Sequence, residues 1–115
     1  MNLVRFESQA EDLSKARREL MLPHLRGEAE SVAEAFRVCS ASFHHLNPKD
    51  LDDAARGWFT KITEFMDTSG VQDPDRRDKQ VVKAEGLSDD QKFELSRVVD
   101  ELAHWFERRS LEESR

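Results

Sequence analysis

The sequence predicts an all-α fold, a four-helix bundle-like single domain that spans residues 1–115. Three observations lead to this prediction. Apolar residues recur at steps of three and four along most of the chain, only four Gly and three Pro interrupt it, and apolar and charged residues each make up 37% of the composition. Such a mixture is typical of amphipathic helices, which bury one face and expose the other to water.

The first predicted helix covers about residues 9–22. Its apolar residues lie on one side of a helix, and they are Phe6, Ala10, Leu13, Ala16 and Leu20. Ser8 and Glu11 have the spacing of a capping box. Pro23 is expected to end or kink the helix, because its ring clashes with the preceding turn.

The second predicted helix, about residues 24–46, has the most regular pattern. Its apolar positions alternate steps of four and three over three heptads, and they are Leu25, Ala29, Val32, Phe36, Cys39, Phe43 and Leu46. Such spacing predicts an apolar seam that packs against other helices. Because Cys39 lies on this seam, we expect a buried and unreactive thiol.

The third predicted helix covers about residues 48–68. Asn47 followed by Pro48 is typical of a helix start, because Asn caps well and Pro lacks only an N–H that is unpaired there anyway. Gly70 is a plausible C-terminal stop.

The last predicted helix covers about residues 89–109, and we expect the chain beyond Arg109 to fray. Ser88 and Gln91 form a second capping box. Its apolar stripe consists of Leu95, Val98, Leu102 and Trp105, widened by Phe93, Val99 and Phe106.

The connection formed by residues 70–86 admits two interpretations. Asp73 and Pro74 can cap a short extra helix that ends before Gly86, or the segment is a mobile crossover loop. Long structureless loops are uncommon inside compact domains.

Composition restricts the classes of function. The formal charge of −6 disfavours nucleic acid as a partner. A lone cysteine excludes an intrachain disulfide and is typical of intracellular proteins. No window is apolar enough to span a membrane, so we predict a soluble, cytoplasmic protein without a membrane partner. No cofactor or metal is expected.

Pairs of adjacent large apolar residues broaden the predicted apolar stripes. Neighbours on a helix point about 100° apart, so each pair extends beyond what one packing partner covers. The candidate partner-binding residues are Trp58, Phe59, Phe65, Met66, Trp105 and Phe106. Either a deep groove within the domain covers these side chains, or they bind another protein or a second copy of the chain.

The leading hypothesis is therefore a small cytoplasmic interaction or regulatory module: an adaptor, an inhibitor or an immunity-type protein that can self-associate. No catalytic residue is expected under this hypothesis. The second alternative to this hypothesis is a metal-binding helical bundle, because Glu101 and His104 have the Glu-x-x-His spacing of di-metal bundles. Such a bundle needs two of these motifs, and one is present.

The first alternative to the interaction module is an RNA-cleaving enzyme. The spacing of Arg97 and His104 resembles the Arg-x(4 to 6)-His motif of the HEPN family of small helical ribonucleases. That resemblance implies metal-independent action of the two side chains on the RNA phosphodiester. Val98 departs from the polar residue that tends to follow the arginine in the family. The same spacing also recurs between Arg37 and His44.

Overall fold

The structure, a computed structural model, describes residues 6–21, 27–73 and 78–113. Over these residues the chain forms five α-helices and no strand, which confirms the predicted all-α, bundle-like fold. The helices are α1 (Glu7–Leu20), α2 (Glu28–His44), α3 (Asp53–Met66), α4 (Lys79–Glu85) and α5 (Asp89–Glu113). A single 3-10 turn, Pro48–Asp50, precedes α3. Among these described helices, none combines the length and the apolar composition of a membrane-spanning segment.

Helix α5 packs against both α1 and α3, while α2 packs against α1 and α4. Helices α1 and α5 are antiparallel, because Phe6 at the start of α1 contacts Phe106 near the end of α5. Helix α3 is also antiparallel to α5. Asp52 reaches Trp105 at one end of this pair, and Phe65 and Gln91 line the same pocket at the other end.

A single apolar cluster joins the helices. Its fully buried large side chains come from four helices, and they include Leu13, Phe36, Ile62, Leu102 and Phe106. The seam predicted on the second helix is confirmed for Val32, Phe36 and Cys39, each at most 3% exposed. Leu25 and Pro23, with the predicted helix break, lie outside the described residues.

The start of α1 differs from the prediction. The helix begins at Glu7, so Ser8 lies inside the first turn and does not cap it. Phe6 precedes the helix with a φ of 69° and supplies no side-chain cap. The residue holds this left-handed conformation while its ring is 93% buried, packed against Trp105 and Phe106. Aromatic packing therefore determines where α1 begins.

The prediction of one continuous helix over 48–68 is wrong. Asn47 accepts a hydrogen bond from the Lys49 N–H at 3.0 Å, but it caps only the 3-10 turn. The backbone then extends at Leu51, whose side chain is 3% exposed, and α3 begins at Asp53. A second cap, Asp52, allows this restart, because its Oδ1 accepts from the Ala55 N–H at 2.9 Å.

The short helix predicted in the 70–86 connection is present as α4, but its cap is different. Asp78 caps α4 by accepting from the Gln80 N–H at 2.8 Å. Asp73 accepts from the backbone N–H of Asp78 instead, at 2.9 Å. The other half of the predicted cap, Pro74, lies outside the described residues. Arg37 on α2 donates to Oδ2 of Asp78 at 2.6 Å and so holds the start of α4 on α2.

The capping box at the start of α5 is confirmed. The Ser88 N–H donates to Oε1 of Gln91 at 2.8 Å, and the Gln91 N–H donates to Oγ of Ser88 at 3.1 Å. The expected fraying beyond Arg109 is wrong, because α5 continues to Glu113. Arg109 belongs to the packed part of the helix, since its guanidinium lies 5.1 Å above the Trp105 ring.

Candidate functional site

The aromatic residues predicted on α5 do not form an exposed face. Trp105 is 7% exposed and Phe106 is fully buried. Phe6 covers both rings, with centroid distances of 5.3 Å to each. The polar edge of Trp105 is satisfied inside the fold by Asp52. Because Phe6 covers this side of α5, the expectation of an exposed face at Trp105 and Phe106 is wrong, while contact of these two side chains with a partner stays a prediction.

The candidate residues on α3 are half-buried and pack against the core cluster, and they are Trp58, Phe59, Phe65 and Met66. The Phe59 ring lies 4.7 Å from the ring of Phe43, at the end of α2. Packing within the chain accounts for much of the breadth of this stripe. Contact of these four side chains with a partner stays a prediction.

Among the described residues, three large apolar side chains are exposed to solvent, and they are Met21, Phe93 and Leu111. Phe93 is 78% exposed on α5, and Met21, immediately after α1, is 56% exposed. Together with Leu20 they line a groove of about 500 Å³ between the end of α1 and the first turns of α5. We call this the Phe93 groove.

The phase of α5 explains why Phe93 is exposed. Phe93 precedes Leu95 by two residues, and two steps of about 100° place it on the opposite side of the helix from the buried stripe. Leu95, Val98 and Leu102 are each at most 1% exposed. The prediction that Phe93 widens the apolar stripe is wrong, whereas Val99 and Phe106 do widen it. The two-residue step was the sequence signal for an exposed aromatic side chain; no comparable signal marked Met21.

Charged side chains form one rim of the Phe93 groove. Arg17 on α1 donates to Oδ1 of Asp100 on α5 at 3.3 Å, and its Nη1 lies 3.3 Å from Nε2 of His104. Nδ1 of His104 is 3.6 Å from the same Asp100 oxygen. This cluster links α1 to α5 beside the groove while leaving about half of the Asp100 and His104 side chains exposed.

Arg97 also lines the Phe93 groove, and its partner Glu94 lies on α5 itself, outside the groove. Arg97 donates from Nε and Nη2 to the two carboxylate oxygens of Glu94, at 3.0 and 2.7 Å. This bidentate contact raises the pKa of Arg97 and lowers the pKa of Glu94. Both groups are therefore charged at neutral pH, and the rim is polar where the groove floor is apolar.

The two residues of the ribonuclease hypothesis share a side of α5 but have different partners. Arg97 is held by Glu94, and His104 lies against Arg17 and Asp100. For the metal hypothesis, the described part of the chain contains no group of three or more His, Cys, Asp or Glu side chains placed to hold a metal ion. In this described part of the chain, no second Glu-x-x-His motif faces Glu101 and His104.

Cys39 is 1% exposed in the core, as expected. Burial, with a smaller contribution from the charge of Asp12, raises the pKa of its thiol to about 12. The thiol is therefore protonated at neutral pH, and a protonated, enclosed thiol is a poor nucleophile.

Comparison of the chain with known protein families, with curated proteins and with solved structures finds no match.

Proposed function

We propose that this protein is a small helical interaction module that binds another polypeptide in the Phe93 groove, as an adaptor, an inhibitor or a regulatory subunit. The observation that carries the proposal is the Phe93 ring, which is 78% exposed in an ordered helix and borders an apolar groove. An exposed aromatic ring in such a place is a common anchor of protein contacts.

The surroundings of Phe93 support a binding role. Met21 is 56% exposed and flexible enough to adapt its shape to a bound side chain. Leu20, the last residue of α1, is a further apolar side chain that lines the groove. The rim, with Arg17, Arg97 and Asp100, matches the usual arrangement of an apolar centre and a polar edge.

Site-specific photo-crosslinking tests this proposal. The photoreactive residue benzoylphenylalanine replaces Phe93 in the protein as it is produced in its own cells, and it preserves an aromatic ring at the groove. The matched control carries the same group at Glu30, an exposed position on α2. We expect a discrete cross-linked product from position 93 that is absent from position 30.

A second substitution links that product to the groove. Met21→Glu places a charge on the apolar wall and should reduce the cross-linked product at least about tenfold, as loss of an interface contact worth about 1.4 kcal/mol would. The circular dichroism spectrum should stay unchanged. An identical pattern of products at positions 93 and 30, or no effect of Met21→Glu, would contradict the proposal.

Ribonuclease activity is the second candidate. Its support is the cationic group of Arg17, 3.3 Å from Nε2 of His104, on the exposed side that also carries Arg97. A general base and cations at one surface suit attack on a phosphodiester. Incubation with single-stranded RNA should then give cleavage that His104→Ala abolishes without loss of helicity. Intact RNA with the wild-type protein over a range of pH removes this candidate.

A further inference from the structure

The outer side of α5 carries a line of six side chains that are exposed or about half exposed. They alternate steps of four and three residues along the helix, and they are Phe93, Arg97, Asp100, His104, Glu107 and Leu111. This spacing keeps them on one narrow stripe, as the contact positions of a coiled coil are. We call this stripe the α5 seam. Its two ends are apolar, since Phe93 is 78% and Leu111 is 61% exposed.

The α5 seam is symmetric about the level of Leu102. Phe93 and Leu111 each lie nine residues from Leu102. Arg97 and Glu107 each lie five residues from it, and they carry opposite charges. Phe93 is therefore equidistant from the centre with another apolar residue, Leu111. Arg97 is equidistant with a residue of opposite charge, Glu107.

The same symmetry holds nearer the centre of the stripe. Asp100 and His104 each lie two residues from Leu102, and a carboxylate can accept a hydrogen bond from an imidazole. Three complementary pairs thus share one centre.

We propose that the polypeptide bound at the Phe93 groove is a second copy of this chain, with the two α5 helices packed antiparallel about a twofold axis at the level of Leu102. This inference rests on the proposed function, because it identifies the partner of that same groove. In an antiparallel twofold pair, positions equidistant from the axis face each other. Leu111 of the second copy then lies beside Phe93 and Met21.

Charge complementarity favours this arrangement over its alternatives. Parallel α5 helices in register would place Arg97 against Arg97 and Glu107 against Glu107, and like charges across an interface are repulsive. An antiparallel pair shifted by one heptad would leave Phe93 or Leu111 without an apolar counterpart. The stripe from Phe93 to Leu111 extends about 27 Å, at about 1.5 Å per residue. This length gives two helices room for contact at both ends.

Complementary charge reversal tests the register. In Arg97→Glu, both of the facing pairs formed with Glu107 become repulsive, and in Glu107→Arg both become repulsive with Arg97. Each single variant should dimerise at least about tenfold more weakly than the wild type. An equimolar mixture of the two variants restores both attractive pairs in the heterodimer alone. Native mass spectrometry distinguishes the three dimers by mass.

The expected result is a wild-type dimer of twice 13.3 kDa in sedimentation velocity, two weakened variants and a dominant heterodimer in their mixture. Lys15→Glu, an exposed charge reversal on α1, is the matched control and should leave dimerisation unchanged. Thermal unfolding checks each fold, because Arg97→Glu also removes the contact with Glu94. The mixture controls for this lost contact with Glu94. Its heterodimer also contains the Arg97→Glu chain, so a dominant heterodimer shows that charge pairing, and not the lost contact, sets the affinity.

The other outcomes overturn the inference. A wild-type chain that stays monomeric at millimolar concentration rules out the second copy as the partner. A dimer that ignores both reversals uses a different surface, and a mixture without a preferred heterodimer excludes this register. Monomeric protein with a cross-link from Phe93 to a different protein would overturn the inference and leave the proposed function in place. Absence of any cross-link specific to Phe93 would overturn both.

Discussion

The indole Nε1 of Trp105 donates a hydrogen bond to Oδ2 of Asp52 across 3.0 Å, between residues 53 positions apart in the sequence. The other oxygen of this carboxylate caps α3 by accepting from the Ala55 N–H. The Arg109 guanidinium lies 3.6 Å from Oδ2 and stacks over the Trp105 ring. One carboxylate therefore fixes the start of α3 against α5.

Asp52→Ala should destabilise the protein by about 1–3 kcal/mol. Loss of an N-cap costs about 1 kcal/mol, and an unpaired N–H on a buried ring costs about as much again. Urea unfolding followed by circular dichroism measures this change. Asp53→Ala is the matched control. The Asp53 carboxylate is fully exposed, and its contact with Arg56 is long, at 3.8 Å. The control should change stability by less than about 0.5 kcal/mol. Equal losses in the two variants would contradict the assigned role of Asp52.

Stability should fall in acid as Asp52 and Asp78 are protonated. The Ala55 N–H and the Trp105 indole lower the pKa of Asp52, and Arg37, followed by the Gln80 N–H, lowers the pKa of Asp78. A carboxyl with a lower pKa in the folded state stabilises that state above its unfolded pKa, near 4. The contribution is lost as the pH falls through the lower folded pKa.

Urea unfolding at intervals from about pH 5 to about pH 2 measures this loss. The free energy of unfolding should fall less steeply with decreasing pH in the double variant Asp52→Asn/Asp78→Asn, because its amides do not titrate. The single variant Asp53→Asn should keep the wild-type slope, since no comparable contacts hold Asp53 in the fold. A double variant with the full wild-type slope would show that other carboxyl groups control acid unfolding.

The Cys39 thiol should be unreactive in the folded protein. Burial raises its pKa to about 12, so thiolate is scarce at neutral pH and the sulfur is enclosed. A chromogenic disulfide reagent should react at least about a hundredfold faster after urea unfolding. The matched control is the variant Cys39→Ala/Ser40→Cys, which moves the thiol to the adjacent exposed position and should react at once in the folded state. Equal rates for the two folded proteins would contradict the buried placement.

Two aromatic truncations on the same helix should have opposite outcomes. Phe106→Ala empties a fully buried site and should cost about 3–5 kcal/mol. Phe93→Ala removes a ring that is 78% exposed and should cost less than about 0.5 kcal/mol. Denaturant midpoints of the isolated protein, measured at a concentration that keeps it monomeric, provide the comparison. A large loss with Phe93→Ala would show that this ring supports the fold.

The sequence pattern was sufficient for the helical class and for most helices, because helix periodicity and capping are local. Val32, Phe36 and Cys39 lie buried on one face of α2, and Ser88 and Gln91 cap α5. The buried face of α2 and the capping box of α5 both depend on residues only a few positions apart in the sequence. Helix boundaries were less predictable where a distant contact decided them, as at Phe6 and Leu51.

The candidate site was much less predictable. Local spacing in the sequence shows where the large apolar side chains lie on each helix, but their exposure depends on which other element packs over them. Phe6 covers Trp105 and Phe106 from the start of a different helix. Phe93 has the same residue type as Phe106 and remains exposed.

By itself the sequence determined that this chain is helical, which sides of its helices are apolar, and which charges surround the level of Leu102 on α5. Only the tertiary structure decided which aromatic rings are enclosed and which border a groove. The physical reason is that periodicity is set by the geometry of one helix, whereas burial is set by contacts between helices. Those contacts join residues such as Asp52 and Trp105, which no local pattern relates.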